Sequence, residues 1–66
     1  MEIVINGASQ QVPATLSVVQ LLEHLKLQGD RVAVELNHEI VRHDQWTATR
    51  LKDQDRLEIV QFVGGG

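Results

Sequence analysis

Side chains able to do chemistry are sparse in this chain, and the group with most to offer lies at its end, where Phe62-Val63 runs into Gly64-Gly65-Gly66. Polyglycine buries no side chain and favours no single backbone basin. Fully extended, three such residues reach roughly 10 Å. The expectation is a thin, flexible arm carrying a free carboxylate on Gly66 at its tip. Lacking Cβ atoms, it suits a channel too narrow for an ordinary peptide, where the carboxylate could meet a reagent held by another protein. A frayed terminus is the alternative reading of the same residues.

No other group of residues assembles into a site. His43 and Asp44 are adjacent, so their side chains rarely face each other usefully, and no activated nucleophile accompanies them. His24, His38 and His43 share no metal-ligand spacing, and the chain has no cysteine to supply a thiol, a disulfide or a metal ligand. The terminal glycines are not a phosphate loop, because no Lys-Ser/Thr follows and no helix begins there. With no catalytic constellation, the chain is expected to enter chemistry as a substrate, through Gly66.

The elements that must position this tail follow from the patterning. Sixty-six residues make one domain near the lower limit for folding without staples. The 42% of hydrophobic residues are nearly all Val, Leu, Ile and Ala, with Trp46 and Phe62 the only aromatics. Ile3 and Ile5 alternate with Glu2, Val4 and Asn6 as in a strand. Asn6-Gly7 signals a tight type I′ turn, and a return strand runs over about 8–12 until Pro13 closes it. Ser17 with Gln20 forms a capping box, and Leu16 with Leu21 has the spacing of a hydrophobic staple. Val18, Leu21, Leu22 and Leu25 then make one apolar stripe, predicting a helix over about 18–27 with Gly29 as its stop signal. Strands follow at Val32–Leu36 and Glu39–Val41 around a turn at Asn37-His38. Residues 42–52 show no clean period; Trp46 and Leu51 are their expected anchors, with a short helical turn around His43–Trp46. A turn at 53–55 leads into a last strand over about 57–63.

This order predicts an α+β fold: a short amphipathic helix laid on one face of a mixed sheet, with the last strand parallel beside the first. That is the β-grasp arrangement, with residues 1–63 as the domain and 64–66 as the tail. Alternation turns Ile3, Ile5, Val32, Val34, Leu57 and Ile59 toward the helix. Val4, Ala33, Val60 and Phe62 then face away and form an apolar docking patch beside the tail; the alternative is that they merely fill strand positions.

A formal net charge of −3 and scattered arginines argue against a nucleic-acid partner. There is no basic-then-apolar leader and no apolar run of membrane-spanning length, so no membrane role and a cytoplasmic location are expected.

The chain resembles the sulfur carriers of thiazole biosynthesis, the ThiS family of ubiquitin-like β-grasp proteins, over its whole length. The likeness rests on its length, the Leu-rich helix Val18–Leu25, and Val34-Glu35-Leu36-Asn37 followed by Ile40-Val41. Arg42, Trp46, Leu51, Asp55 and the strand into Val63-Gly64-Gly65-Gly66 continue it. Gln54 departs from it, standing where the family often has glycine, which leaves the turn type open. The resemblance implies a carrier, not an enzyme, that binds no cofactor itself. A ubiquitin-activating-like adenylyltransferase using ATP and magnesium would adenylate Gly66, a sulfur donor such as a cysteine desulfurase would supply the sulfur of a thiocarboxylate, and thiazole synthase would receive it. The chemistry is consistent: a terminal carboxylate, with a pKa of roughly 3.5, is ionised at neutral pH and a poor electrophile until adenylation supplies a leaving group. A sulfur carrier for molybdopterin synthase, a protein modifier joined through Gly66 to lysines, and a non-covalent module with an inert tail remain alternatives.

Overall fold

A computed structural model of the chain describes residues 1–27 and 29–62. Its order is β1 (Glu2–Ile5), β2 (Ala8–Gln11), α1 (Val18–His24), β3 (Val32–Leu36), β4 (Glu39–Val41) and β5 (Arg56–Gln61), with single 3-10 turns at Gly29–Arg31 and His43–Gln45. The strands form one mixed sheet in the order β2-β1-β5-β3-β4. Strands β1 and β5 run parallel at its centre, and every other neighbour is antiparallel. This is the expected mixed sheet with one helix. No helix among the described residues is long and apolar enough to cross a membrane.

Both hairpins turn through left-handed backbone. Asn6 and Gly7 have φ of 50° and 84°, and Asn37 and His38 have 50° and 74°. Two consecutive positive φ values match the right-handed twist of the flanking strands. Each turn asparagine also reaches across to the chain at β5. The Asn6 side chain donates to the Ile59 carbonyl at 3.0 Å and accepts from its N–H at 2.7 Å. Asn37 donates to the Asp55 carboxylate at 3.0 Å and accepts from the Arg56 N–H at 3.0 Å. The strand leading to the tail is thus held by side chains on both flanks as well as by its backbone ladders.

The capping box forms as expected: the Ser17 hydroxyl accepts from the Gln20 N–H at 3.2 Å, and the Gln20 side chain accepts from the Ser17 N–H at 2.9 Å. The helix is shorter than its stripe suggested and stops at His24. Its stop is not Gly29. Lys26 takes φ of 62°; its N–H donates to the Glu23 carbonyl at 3.0 Å and the Leu27 N–H to Leu22 at 2.9 Å. Those paired bonds are a Schellman closure, with lysine where glycine is usual. Gly29 serves packing instead, because a Cβ there would stand 3.0 Å from the Trp46 ring. Trp46 is buried, and its indole N–H donates to the Val41 carbonyl at 2.9 Å.

The core lies between α1 and one sheet face. Val18, Leu21 and Leu22 from the helix meet Ile3, Ile5, Val32, Val34, Leu57 and Ile59 from the sheet. Trp46 and Leu51 anchor the irregular 42–52 segment into it, and the 3-10 turn falls where a helical turn was expected. The last strand ends at Gln61, inside the expected 57–63; of that span, Val63 lies outside the described residues.

Candidate functional site

The surface to examine is the sheet face opposite the helix, at the end where β5 leads to the tail. Residue parity along β5 sets it: Leu57 and Ile59 are buried, and Glu58, Val60 and Phe62 are exposed. Val60 remains 56% exposed and Phe62 57%, so two large apolar side chains stand together in solvent beside the tail root, as a docking surface requires. Phe62 is the last described residue. Its N–H donates to the Arg31 carbonyl at 2.7 Å, extending the β3–β5 ladder one step beyond the strand. The backbone is therefore held in place immediately before the tail, while the ring stays in solvent.

Ala33 and Val60 are direct cross-strand partners on this face. They line a shallow depression with Val34, Glu35, Ile40 and Glu58. Ile40 was not among the residues expected in the patch, yet at 74% it is the most exposed of the large apolar side chains. A three-residue strand carries too little period to assign its faces from sequence; only the register, which sets Ile40 against Glu35 and Val41 against Val34, fixes them. Val4 does face this side, but it is half-buried and pairs with Arg56, at the opposite end of β5 from Val60. It lines a second depression with Gly7, His38 and Arg56, which shares Glu35 and Glu58 with the first. The expected patch thus divides: Ala33, Val60 and Phe62 lie toward the tail, Ile40 adjoins them across the same depression, and Val4 does not belong with them.

Between the two ends sits an acidic step. Glu35 on β3 and Glu58 on β5 are directly opposed in register. Among the described residues the one ion pair is Arg42–Asp44, at 3.7 Å on an exposed loop, and it involves neither glutamate. No group of three or more His, Cys, Asp or Glu among those residues could hold a metal ion. The His43 ring packs at a tilt against Trp46, with centroids 4.4 Å apart, and the Asp44 carboxylate pairs with Arg42.

Gly64, Gly65 and Gly66, the expected reactive arm, lie outside the described residues. What the fold supplies is their root: a strand fixed from both sides, an apolar face beside it, and a hydrogen bond at Phe62.

The sequence model of the ThiS family matches residues 2–66. A thiazole synthase of Paramagnetospirillum magneticum is 42% identical over 66 residues; that match takes in all of this chain and 20% of that protein, so the chain spans about a fifth of its length. The sulfur carrier protein ThiS of Escherichia coli is 32% identical, with both chains covered in full. The crystal structure of the thiamine biosynthesis protein ThiS of Geobacter metallireducens is similar throughout, with a TM-score of 0.87 at 39% identity and both chains covered in full.

Proposed function

The chain belongs to the ThiS family, and on that premise we propose that it is a sulfur carrier in thiamine biosynthesis which works as a protein co-substrate. One observation carries the reading: the family match extends through residue 66, so the glycines of this chain fall within the family pattern. In the proposed cycle a ubiquitin-activating-like enzyme binds ATP and magnesium, and the Gly66 carboxylate attacks the α-phosphorus. Pyrophosphate leaves and an acyl-adenylate forms. A persulfide sulfur on a donor such as a cysteine desulfurase then displaces AMP to give an acyl disulfide. A thiol reductant cleaves its S–S bond, leaving the C-terminal thiocarboxylate on Gly66 and a disulfide between the reductant and the donor. Thiazole synthase takes the sulfur from it. The likeness of this chain to one-fifth of a protein named thiazole synthase supports that last partner.

The domain's part in this is positional. It holds the tail root at Phe62 and offers the apolar face of Ala33, Ile40, Val60 and Phe62 to whichever enzyme receives the tail. Gly64 and Gly65 serve as the slender approach, and Gly66 is the residue modified. ATP and magnesium belong to the activating enzyme, not to this chain.

Intact-mass analysis tests the proposal. After incubation with the activating enzyme, ATP, magnesium and a sulfur source, one oxygen should be replaced by sulfur, and fragmentation should place the change at Gly66. An unaltered mass in a system that converts an authentic ThiS protein, or a change mapped to an internal side chain, overturns it.

A further inference from the structure

The open face carries more than an apolar patch. Glu35 and Glu58 stand directly opposite each other on adjacent strands. Like charges so placed destabilise a sheet. Neither is relieved by an ion pair within the described residues. Two basic residues, Arg56 and His38, line the neighbouring depression together with both glutamates, Val4 and Gly7, yet neither forms an ion pair with them among the described residues. On the tail side, the depression formed by Ala33, Val34, Ile40 and Val60 has the two glutamates as its remaining walls. It is therefore an apolar trough closed at one end by two carboxylates.

We infer that this trough receives an arginine side chain from the protein that takes the tail. The aliphatic stem of arginine is long enough to lie on Val60 and Ile40 while its charged head extends further. The guanidinium is a planar fork with five donors and can bond two carboxylates at once, which a single ammonium does less well. Val60 on the trough wall lies two positions before Phe62 on the same face, so a protein that receives the tail at Phe62 also reaches the trough. This rests on the carrier reading, and it adds to that reading the chemistry that recognises the partner. In the free carrier no ion pair among the described residues engages either glutamate, so both carboxylates are open to a cation from outside.

The test uses the full chain and the adenylating enzyme, with Glu35→Gln, Glu58→Gln and the double variant. Each single change should weaken binding of the enzyme by about tenfold and the double change by more, with a shallower dependence of affinity on salt. Their melting temperatures should equal or exceed wild type, since the substitutions remove a repulsion; a merely structural role would lower them. Keeping the charge but shortening the side chain, Glu58→Asp should retain only part of the affinity. The inference is overturned if wild-type affinity does not change with salt, or if the double variant binds as wild type does. Both results leave the carrier reading standing so long as wild-type Gly66 still acquires sulfur. Failure of wild type to be adenylated would instead sink the carrier reading itself.

Discussion

At the scale of single residues, Phe62 and Ile59 make the sharpest contrast, for they lie three positions apart, one within β5 and one just past its end, and meet opposite environments. Ile59 is 8% exposed within the core, and Phe62 is 57% exposed at the tail root. Ile59→Asp buries an unpaired charge at a cost of several kcal/mol, enough to unfold so small a domain. Phe62→Asp and Val60→Asp should melt close to wild type. Burying one such side chain against a partner contributes about 1.5–3 kcal/mol, so both should weaken docking to the activating enzyme by roughly tenfold or more. Thermal melts and a binding titration on the three variants suffice. If Phe62→Asp melts as low as Ile59→Asp, its ring supports the fold; if it binds as wild type does, the patch is only a strand surface.

At the scale of elements, most of what positions the site was legible because short chemical signals decided it. Asn6-Gly7 gave a turn with two positive φ values, Ser17 with Gln20 gave the helix start, and parity along β5 gave the exposed Val60 and Phe62. What escaped depended on long-range geometry. Val4 shares the face of Val60, yet only the β1–β5 register shows that it sits beside Arg56. Ile40 stood in a strand too short to show a period. The end of α1 was misread because glycine was expected to stop it, whereas Lys26 adopts the left-handed conformation and Gly29 gives room to the Trp46 ring. Lysine in that conformation is strained by about 1 kcal/mol relative to glycine. Lys26→Gly should therefore stabilise the domain by about 0.5–1 kcal/mol and raise Tm by about 3–6 °C. Lys26→Val, whose branched Cβ suits that conformation least, should lower Tm. A drop in Tm with Lys26→Gly would show that lysine contributes something beyond closing the helix.

At the scale of the whole molecule, the two ends of the sheet are fastened differently. Away from the tail, the Glu2 N–H donates to the Asp53 carboxylate at 2.7 Å, and the Ser9 hydroxyl and the Gln54 amide donate to the Glu2 carboxylate. The bond from Glu2 holds the Asp53 carboxyl below its usual pKa, with Gln54 assisting. That from Ser9 does the same for Glu2, again with Gln54 assisting. Carboxyls with lowered folded-state pKa stabilise fully above the ordinary carboxylate range and lose that contribution as pH falls through the lowered values. Asp53→Asn keeps an acceptor for the Glu2 N–H but cannot titrate. Its Tm should accordingly fall less than that of wild type as pH drops below about 4. An acid profile identical to wild type would place the sensitivity elsewhere. The central pairing of β1 with β5 has a further consequence, and it is mechanical. Because these strands are parallel, a pull on the end of β5 against the start of β1 acts along both strands in opposite senses. The Val4 N–H bond to Asp55 and the Asn6 N–H bond to Leu57, each 2.9 Å, are then sheared together with the two Asn6 side-chain bonds to Ile59, and cannot open one after another. On the carrier reading proposed above, partners handle the protein by its tail, and the sheet resists traction along that line. In a constant-force experiment the chain should outlast the same fold pulled across β1 and β2, whose antiparallel ladder can unzip from its open end. Equal lifetimes in the two directions would show that the sheet's orientation gives no such protection.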